Sequence, residues 1–136
     1  MPTPRIKKVH HVAVVVDDIE KSLSFWRDLL GLPLDEVRDV PVQKTRVAFL
    51  SPGETEIELV RPTTDDSGVA RFLARRGAGM HHLALEVDDL EALLVRLKAA
   101  GVRLINDPPL VNAAGKKYTF VHPESTGGVL LELSEA

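Results

Sequence analysis

Two stretches of the chain carry the same succession of apolar and polar positions. Val9-His-His-Val-Ala-Val-Val-Val-Asp-Asp18 returns seventy-one residues later as Met80-His-His-Leu-Ala-Leu-Glu-Val-Asp-Asp89. Each reads as an apolar residue, two histidines, an apolar residue, an alanine, three strand residues and two aspartates, and a helical pattern follows each. Self-similarity of this kind marks one supersecondary unit used twice. The β-branched and apolar run Lys8–Val16 predicts a strand. Asp17 or Asp18 then caps a helix whose inward stripe is Ile19, Leu23, Trp26 and Leu30, stopped by Gly31. Leu34–Val40 reads as a short strand and the Pro41 region as a turn or edge, because proline cannot donate to a ladder. Thr45–Leu50 and Thr55–Val60 are strands around the turn Ser51-Pro-Gly-Glu54.

The first unit is therefore β-α-β-β-β. Ser67 starts a short helix carrying Val69, Phe72 and Leu73, closed by Gly77 and Gly79, which links it to the second unit. There Met80–Val87 is the opening strand. Asp88 or Asp89 caps a helix with Leu90, Leu93, Leu94 and Leu97 inward, ending at Gly101. Val102–Ile105, Lys116–Val121 and Val129–Ser134 complete the repeat as strands, with Asn106–Gly115 a loop and His122–Gly128 a turn. The expected class is α+β: one domain of two tandem βαβββ modules, about residues 6–62 and 79–135, joined by a linker helix at about 63–78.

Strand alternation sorts the side chains by face. His81, Leu83, Leu85 and Val87 share a face apolar enough to lie under a helix; His82, Ala84 and Glu86 share the other, which is small and polar. By the repeat, His11 and Ala13 take the cavity face of the first unit. Ile57 and Leu59 oppose Glu56 and Glu58, and Glu132 lies between Leu131 and Leu133 on the face opposite to theirs. An acid in the middle of an apolar last strand is costly to bury without a partner. Each unit so supplies one His from its first strand and one Glu from its last. If the units pack about a pseudo-twofold axis, His11, Glu58, His82 and Glu132 converge, and two imidazoles with two carboxylates suit a divalent ion such as Zn, Ni, Co, Mn or Fe(II). Taken singly, each histidine and Glu58 read more simply as structural or solvated, Glu132 less so because of its apolar neighbours; the pairing across two repeats lifts the set. His10 and His81 read as structural, His122 as a turn residue, Trp26 as core, the aspartate pairs as helix caps, and Lys116-Lys117 as a solvated strand start.

Composition narrows the choice. The 136 residues are 44% hydrophobic and 27% charged with a net charge of −3, the profile of a globular protein without an electrostatic footprint for nucleic acid. No apolar run reaches the roughly 20 residues of a membrane span, and the first eight residues lack the apolar core of a secretory signal. With no cysteine, disulfides, thiolate metal sites and cysteine nucleophiles are excluded, a composition compatible with the cytoplasm. Gly77-Ala-Gly79 precedes a strand, the reverse of the order a dinucleotide loop needs, and no serine sits in a nucleophile elbow.

Two βαβββ units with these His and Glu positions resemble the vicinal oxygen chelate superfamily, which includes glyoxalase I, extradiol dioxygenases and antibiotic-resistance proteins. Within it the chain is most similar to the methylmalonyl-CoA epimerases, from Ile6 to Glu135. The more specific pieces are Thr55-Glu-Ile-Glu-Leu-Val-Arg-Pro62, Gly79-Met-His-His-Leu-Ala-Leu-Glu-Val-Asp-Asp89 and His122-Pro-Glu-Ser-Thr-Gly-Gly-Val-Leu-Leu-Glu-Leu133. The resemblance implies a curved, partly open mixed β-sheet barrel around a metal site, with His11, Glu58, His82 and Glu132 as ligands to a divalent ion (Co, Mn, Ni or Zn). It implies epimerisation of an acyl-CoA and a homodimer; as a carboxylate at the metal, Glu132 is the first choice for the base. The alternatives are a glyoxalase I-like lactoylglutathione lyase and a non-catalytic small-molecule-binding protein of the resistance type. Some epimerases have Gln where this chain has Glu58. Epimerases commonly have Glu-Gln where it has Val42-Gln43, and some place a base on the following strand, whereas no carboxylate occurs here between Asp39 and Glu54. Glu124 stands where Lys is common.

Overall fold

The computed structural model describes residues 4–136. They form an α+β fold that divides into two compact units, one of residues 11–81 and one joining the chain up to His10 with His82–Ala136. The strands are β1 (Ile6–Val15), β2 (Leu34–Val40), β3 (Thr45–Leu50), β4 (Glu56–Pro62), β5 (Gly79–Val87), β6 (Leu110–Val111), β7 (Lys117–Val121) and β8 (Leu131–Glu135). The helices are α1 (Ile19–Leu23), which widens into a π-helical turn over Ser24–Leu29, α2 (Gly68–Arg76) and α3 (Leu90–Ala99).

In the unit of residues 11–81 the strand order is β2-β3-β4-β1. The β2–β3 and β3–β4 ladders are antiparallel and β4–β1 is parallel. Parallel neighbours need a crossover, and α1 begins that connection after the Asp18 carboxylate accepts the Lys21 N–H at its N-terminus. Alternation then gives the sheet two cores. On one face α1 seats Ile19 and Leu23 on Val16, Ala48, Leu50 and Leu59, with Trp26 packed against them. On the other, Ala13, Val47, Phe49 and Val60 meet Val69 of α2. Leu30 departs from the expected stripe: it is 54% exposed. The π-helical turn explains the difference, because its wider winding rotates the residues beyond Trp26 away from the 3.6-residue period. Ser67 caps α2 by accepting the Ala70 N–H. Gly77, at φ 74°, ends it in a conformation open to glycine.

In the other unit the first half of β1 is followed by β5-β8-β7-β6. The β5–β8 ladder is parallel and the β8–β7 and β7–β6 ladders antiparallel. Asp89 accepts the Ala92 N–H to start α3, and Asp88 instead ties the chain start: its carboxylate accepts the Arg5 N–H at 2.7 Å. Leu90, Leu93 and Leu94 of α3 bury against Val87, Val121 and Leu133, with Leu97 beside them. The expected strand Val102–Ile105 is corrected to an isolated bridge, Leu104 to Val121, and the partner strand of β7 forms at Leu110–Val111, inside the expected loop. The Asn106 side-chain carbonyl takes the Phe120 N–H and its backbone carbonyl takes the Thr119 hydroxyl. Those bonds compete with a continuing ladder, and Pro108 and Pro109 have no N–H to offer one.

Candidate metal centre

Each unit places its histidine and glutamate by the same local rule. In the β1–β4 ladder Glu58 stands opposite Ala13, and across β3–β4 it stands opposite Phe49. In the β5–β8 ladder Glu132 stands opposite Ala84, and across β7–β8 opposite Phe120. His11 and His82 lie two residues before those alanines, hence on the same face and diagonal to the acids. Ala13 and Ala84 are both fully buried. A side chain no longer than a methyl group beside each glutamate leaves the space into which the neighbouring imidazole reaches.

The result is two His–Glu pairs. His11 Nδ1 lies 3.3 Å from Glu58 Oε2, the side chains 9% and 14% exposed. His82 Nε2 lies 3.4 Å from Glu132 Oε1, at 12% and 14%. Charge-assisted N–H···O bonds are shorter, about 2.7–2.9 Å. Two ligands each about 2.1 Å from one ion and roughly 90–109° apart lie about 3.0–3.4 Å from each other. The separation within each pair therefore fits two donors to a shared cation, and the donors, imidazole nitrogen and carboxylate oxygen, suit a borderline divalent metal. The Phe120 ring meets the His82 imidazole edge-on with centroids 5.3 Å apart, which restrains that ring on one side.

Three of the remaining sequence candidates have partners outside the pairs. Phe72 of α2 packs edge-on against His81, centroids 5.0 Å apart. His122 accepts the Glu124 N–H at Nδ1 and opens the turn Pro123–Ser125. Lys117 is paired with Glu91 at 2.7 Å, and this lysine holds the exposed Glu91 carboxyl below the usual carboxylate range by hydrogen bond and charge. Sequence reasoning passed over Phe49 and Phe120. Their signal was available: each is the inward residue of the penultimate strand of its unit, placed opposite the acid.

The profile of the Glyoxalase/Bleomycin resistance protein/Dioxygenase superfamily matches residues 10–120. The mitochondrial methylmalonyl-CoA epimerase of Mus musculus is 40% identical over 99% of this chain and 76% of its own length. The crystal structure of methylmalonyl-CoA epimerase from Mycobacterium tuberculosis superposes with a TM-score of 0.87 at 34% identity, covering 99% of this chain and 91% of that one. A methylmalonyl-CoA epimerase in complex with methylmalonyl-CoA and NH4+ superposes with a TM-score of 0.86 at 29% identity over 97% and 96% of the two chains. By contrast, a probable chloroplastic lactoylglutathione lyase of Arabidopsis thaliana is 30% identical over 95% of this chain but only 36% of its own length.

Proposed function

We propose that this chain, which belongs to the Glyoxalase/Bleomycin resistance protein/Dioxygenase superfamily, is a metal-dependent epimerase interconverting (R)- and (S)-methylmalonyl-CoA. The observation that carries the reading is a His–Glu pair set at the same strand register in each unit, in a chain alike over almost its whole length to epimerases of that substrate. His11, Glu58, His82 and Glu132 are the proposed ligands of one divalent ion (Co, Mn, Ni or Zn). When bound, such an ion supplies Lewis acidity to the negative charge that develops as the α-proton leaves.

The chain's own residues supply the proton chemistry. The α-carbon of methylmalonyl-CoA is flanked by a thioester and a carboxylate. Glu132 takes its proton as general base, leaving the electron pair delocalised as the enolate. Return of a proton to the opposite face from a water completes inversion, and the resulting hydroxide takes back the proton held on Glu132. The imidazoles of His11 and His82 remain neutral donors and take no proton in this scheme.

Among the described residues no helix is long and apolar enough to cross a membrane. We take the assembly to be a homodimer and the compartment the cytoplasm, with which the cysteine-free sequence is compatible. Glu58 favours one second reading, a glyoxalase I-like lactoylglutathione lyase, since it adds a second carboxylate where some epimerases have Gln. The deciding experiment is solvent deuterium incorporation at the α-carbon of methylmalonyl-CoA, with and without chelator, beside turnover of a glutathione hemithioacetal. Metal-dependent exchange with the CoA ester alone supports the epimerase; turnover of the hemithioacetal alone replaces it with the lyase.

A further inference from the structure

The guanidinium carbon of Arg38 lies 4.7 Å from the centroid of the Phe49 ring. In the β2–β3 ladder Arg38 stands opposite Val47, so it shares the face of Val47 and Phe49. Phe49 in turn stands opposite Glu58. The guanidinium thus caps the aromatic side chain that flanks one proposed metal ligand.

Neighbouring cations are engaged elsewhere. Arg46 and Arg61 project from the other face, where with Val37 they line a small cleft beside Ile19. Arg46 is paired with Asp39 at 2.8 Å, and Arg61 Nε donates to the Asp17 carbonyl. Arg38 is held more loosely. Its Nε is 3.5 Å from Glu36 Oε1, beyond a good N–H···O bond, and its side chain is 58% exposed. A guanidinium held over a phenyl ring keeps its planar fork of N–H donors, the group that grips a carboxylate or phosphate with two parallel bonds. A ring under the cation also fixes its position without consuming those donors.

From this placement we infer that Arg38 is a specificity residue, anchoring an anionic group of the acyl-CoA substrate on the face that carries His11 and Glu58. The inference rests on the epimerase reading. Methylmalonyl-CoA offers two sources of that anion, the free carboxylate beside the α-carbon and the phosphates of the nucleotide end.

The test uses full-length, metal-loaded protein. Arg38→Met keeps an apolar stem over Phe49 and removes the charge; Arg38→Lys restores the charge. KM and kcat for deuterium exchange are measured with methylmalonyl-CoA and with methylmalonyl-pantetheine, which lacks the nucleotide phosphates, and the Kd of each thioester is measured by calorimetry. Arg38→Met raises KM and Kd for methylmalonyl-CoA about tenfold, as expected for one charged contact, leaves kcat within about twofold, and is only partly rescued by Arg38→Lys, which restores the charge without the two-bond fork. Weakening with both thioesters assigns the carboxylate; weakening with the CoA ester alone assigns the phosphates. Unchanged KM and Kd for both in Arg38→Met overturns the inference. Should the wild type fail to exchange the α-proton, the epimerase reading falls and the Kd values decide alone: weaker binding of methylmalonyl-CoA to Arg38→Met keeps the anion site, and equal or undetectable binding ends it.

Discussion

Ala84 stands directly opposite Glu132 in the parallel β5–β8 ladder, and its fully buried methyl group is what the Glu132 carboxylate sits beside. His82, two residues earlier on the same face, is 3.4 Å from that carboxylate. Because Ala84 is fully buried, a larger side chain there must displace packed neighbours. Ala84→Val is therefore expected to destabilise the fold by about 1–3 kcal/mol through overpacking and to push Glu132 off His82. Denaturant unfolding with metal analysis checks both parts. Unchanged stability together with full metal content removes Ala84 as the spacer of the pair.

The two acids are equivalent in the repeat and different in assigned chemistry. Glu132→Gln is expected to abolish α-proton exchange, because an amide does not accept the proton. Glu58→Gln keeps an oxygen donor, the residue type some epimerases have there, and is expected to retain exchange, with a loss of no more than about tenfold, equivalent to about 1.4 kcal/mol. Exchange measured by deuterium incorporation, with metal content determined alongside, separates the roles. Wild-type-like exchange in Glu132→Gln would remove it from the role of base.

Most of this arrangement was readable from the sequence, for reasons that can be named. The faces of β4, β5 and β8 followed from alternation because one side of each is apolar, as with Ile57 and Leu59 against Glu58. The caps at Asp18, Ser67 and Asp89 followed from side-chain chemistry at the start of apolar periodicity. Leu30 was misread because the helical period assumes an unbroken α-helix, and the π-helical turn over Ser24–Leu29 breaks it. Val102–Ile105 was misread because β-branched residues report that a segment suits a sheet, not whether a neighbour will complete its ladder; here Asn106 takes the bond. Arg38 over Phe49 had no local signal at all, since it depends on the β2–β3 register.

Thr45 opens β3 on the face of Val47 and Phe49 and is 1% exposed. Its hydroxyl is the buried side-chain polar atom without a hydrogen-bond partner among the described residues. Opposite it in β4 is Pro62, which has no N–H to offer. A buried hydroxyl without a partner carries its desolvation cost uncompensated. Thr45→Val, nearly the same shape without that group, is expected to raise unfolding stability by about 1 kcal/mol. A loss of similar size instead would show that the hydroxyl is bonded in solution, by an ordered water for example.

Metal removal tests the centre independently of any substrate. A ligand bound only to the folded chain stabilises it by an amount set by its concentration relative to Kd, about 2.7 kcal/mol at a hundredfold excess. With an unfolding entropy of about 2.1 cal/mol/K per residue, that corresponds to a midpoint shift on the order of 10 °C for a chain of this length. Chelation is therefore expected to lower the thermal midpoint by that order, and readdition of Co, Mn, Ni or Zn to restore it. Imidazole and carboxylate ligate only when unprotonated, so protons compete with the ion. The sign follows: the metal-dependent part of the shift shrinks as pH is lowered, while the chelated protein lacks that component of its pH dependence. The His11→Ala and His82→Ala variants each remove one nitrogen donor, and both are expected to lose most of the metal-dependent shift. A shift that survives in His11→Ala but not in His82→Ala would confine the ion to the His82–Glu132 pair and separate the two units' contributions to the site.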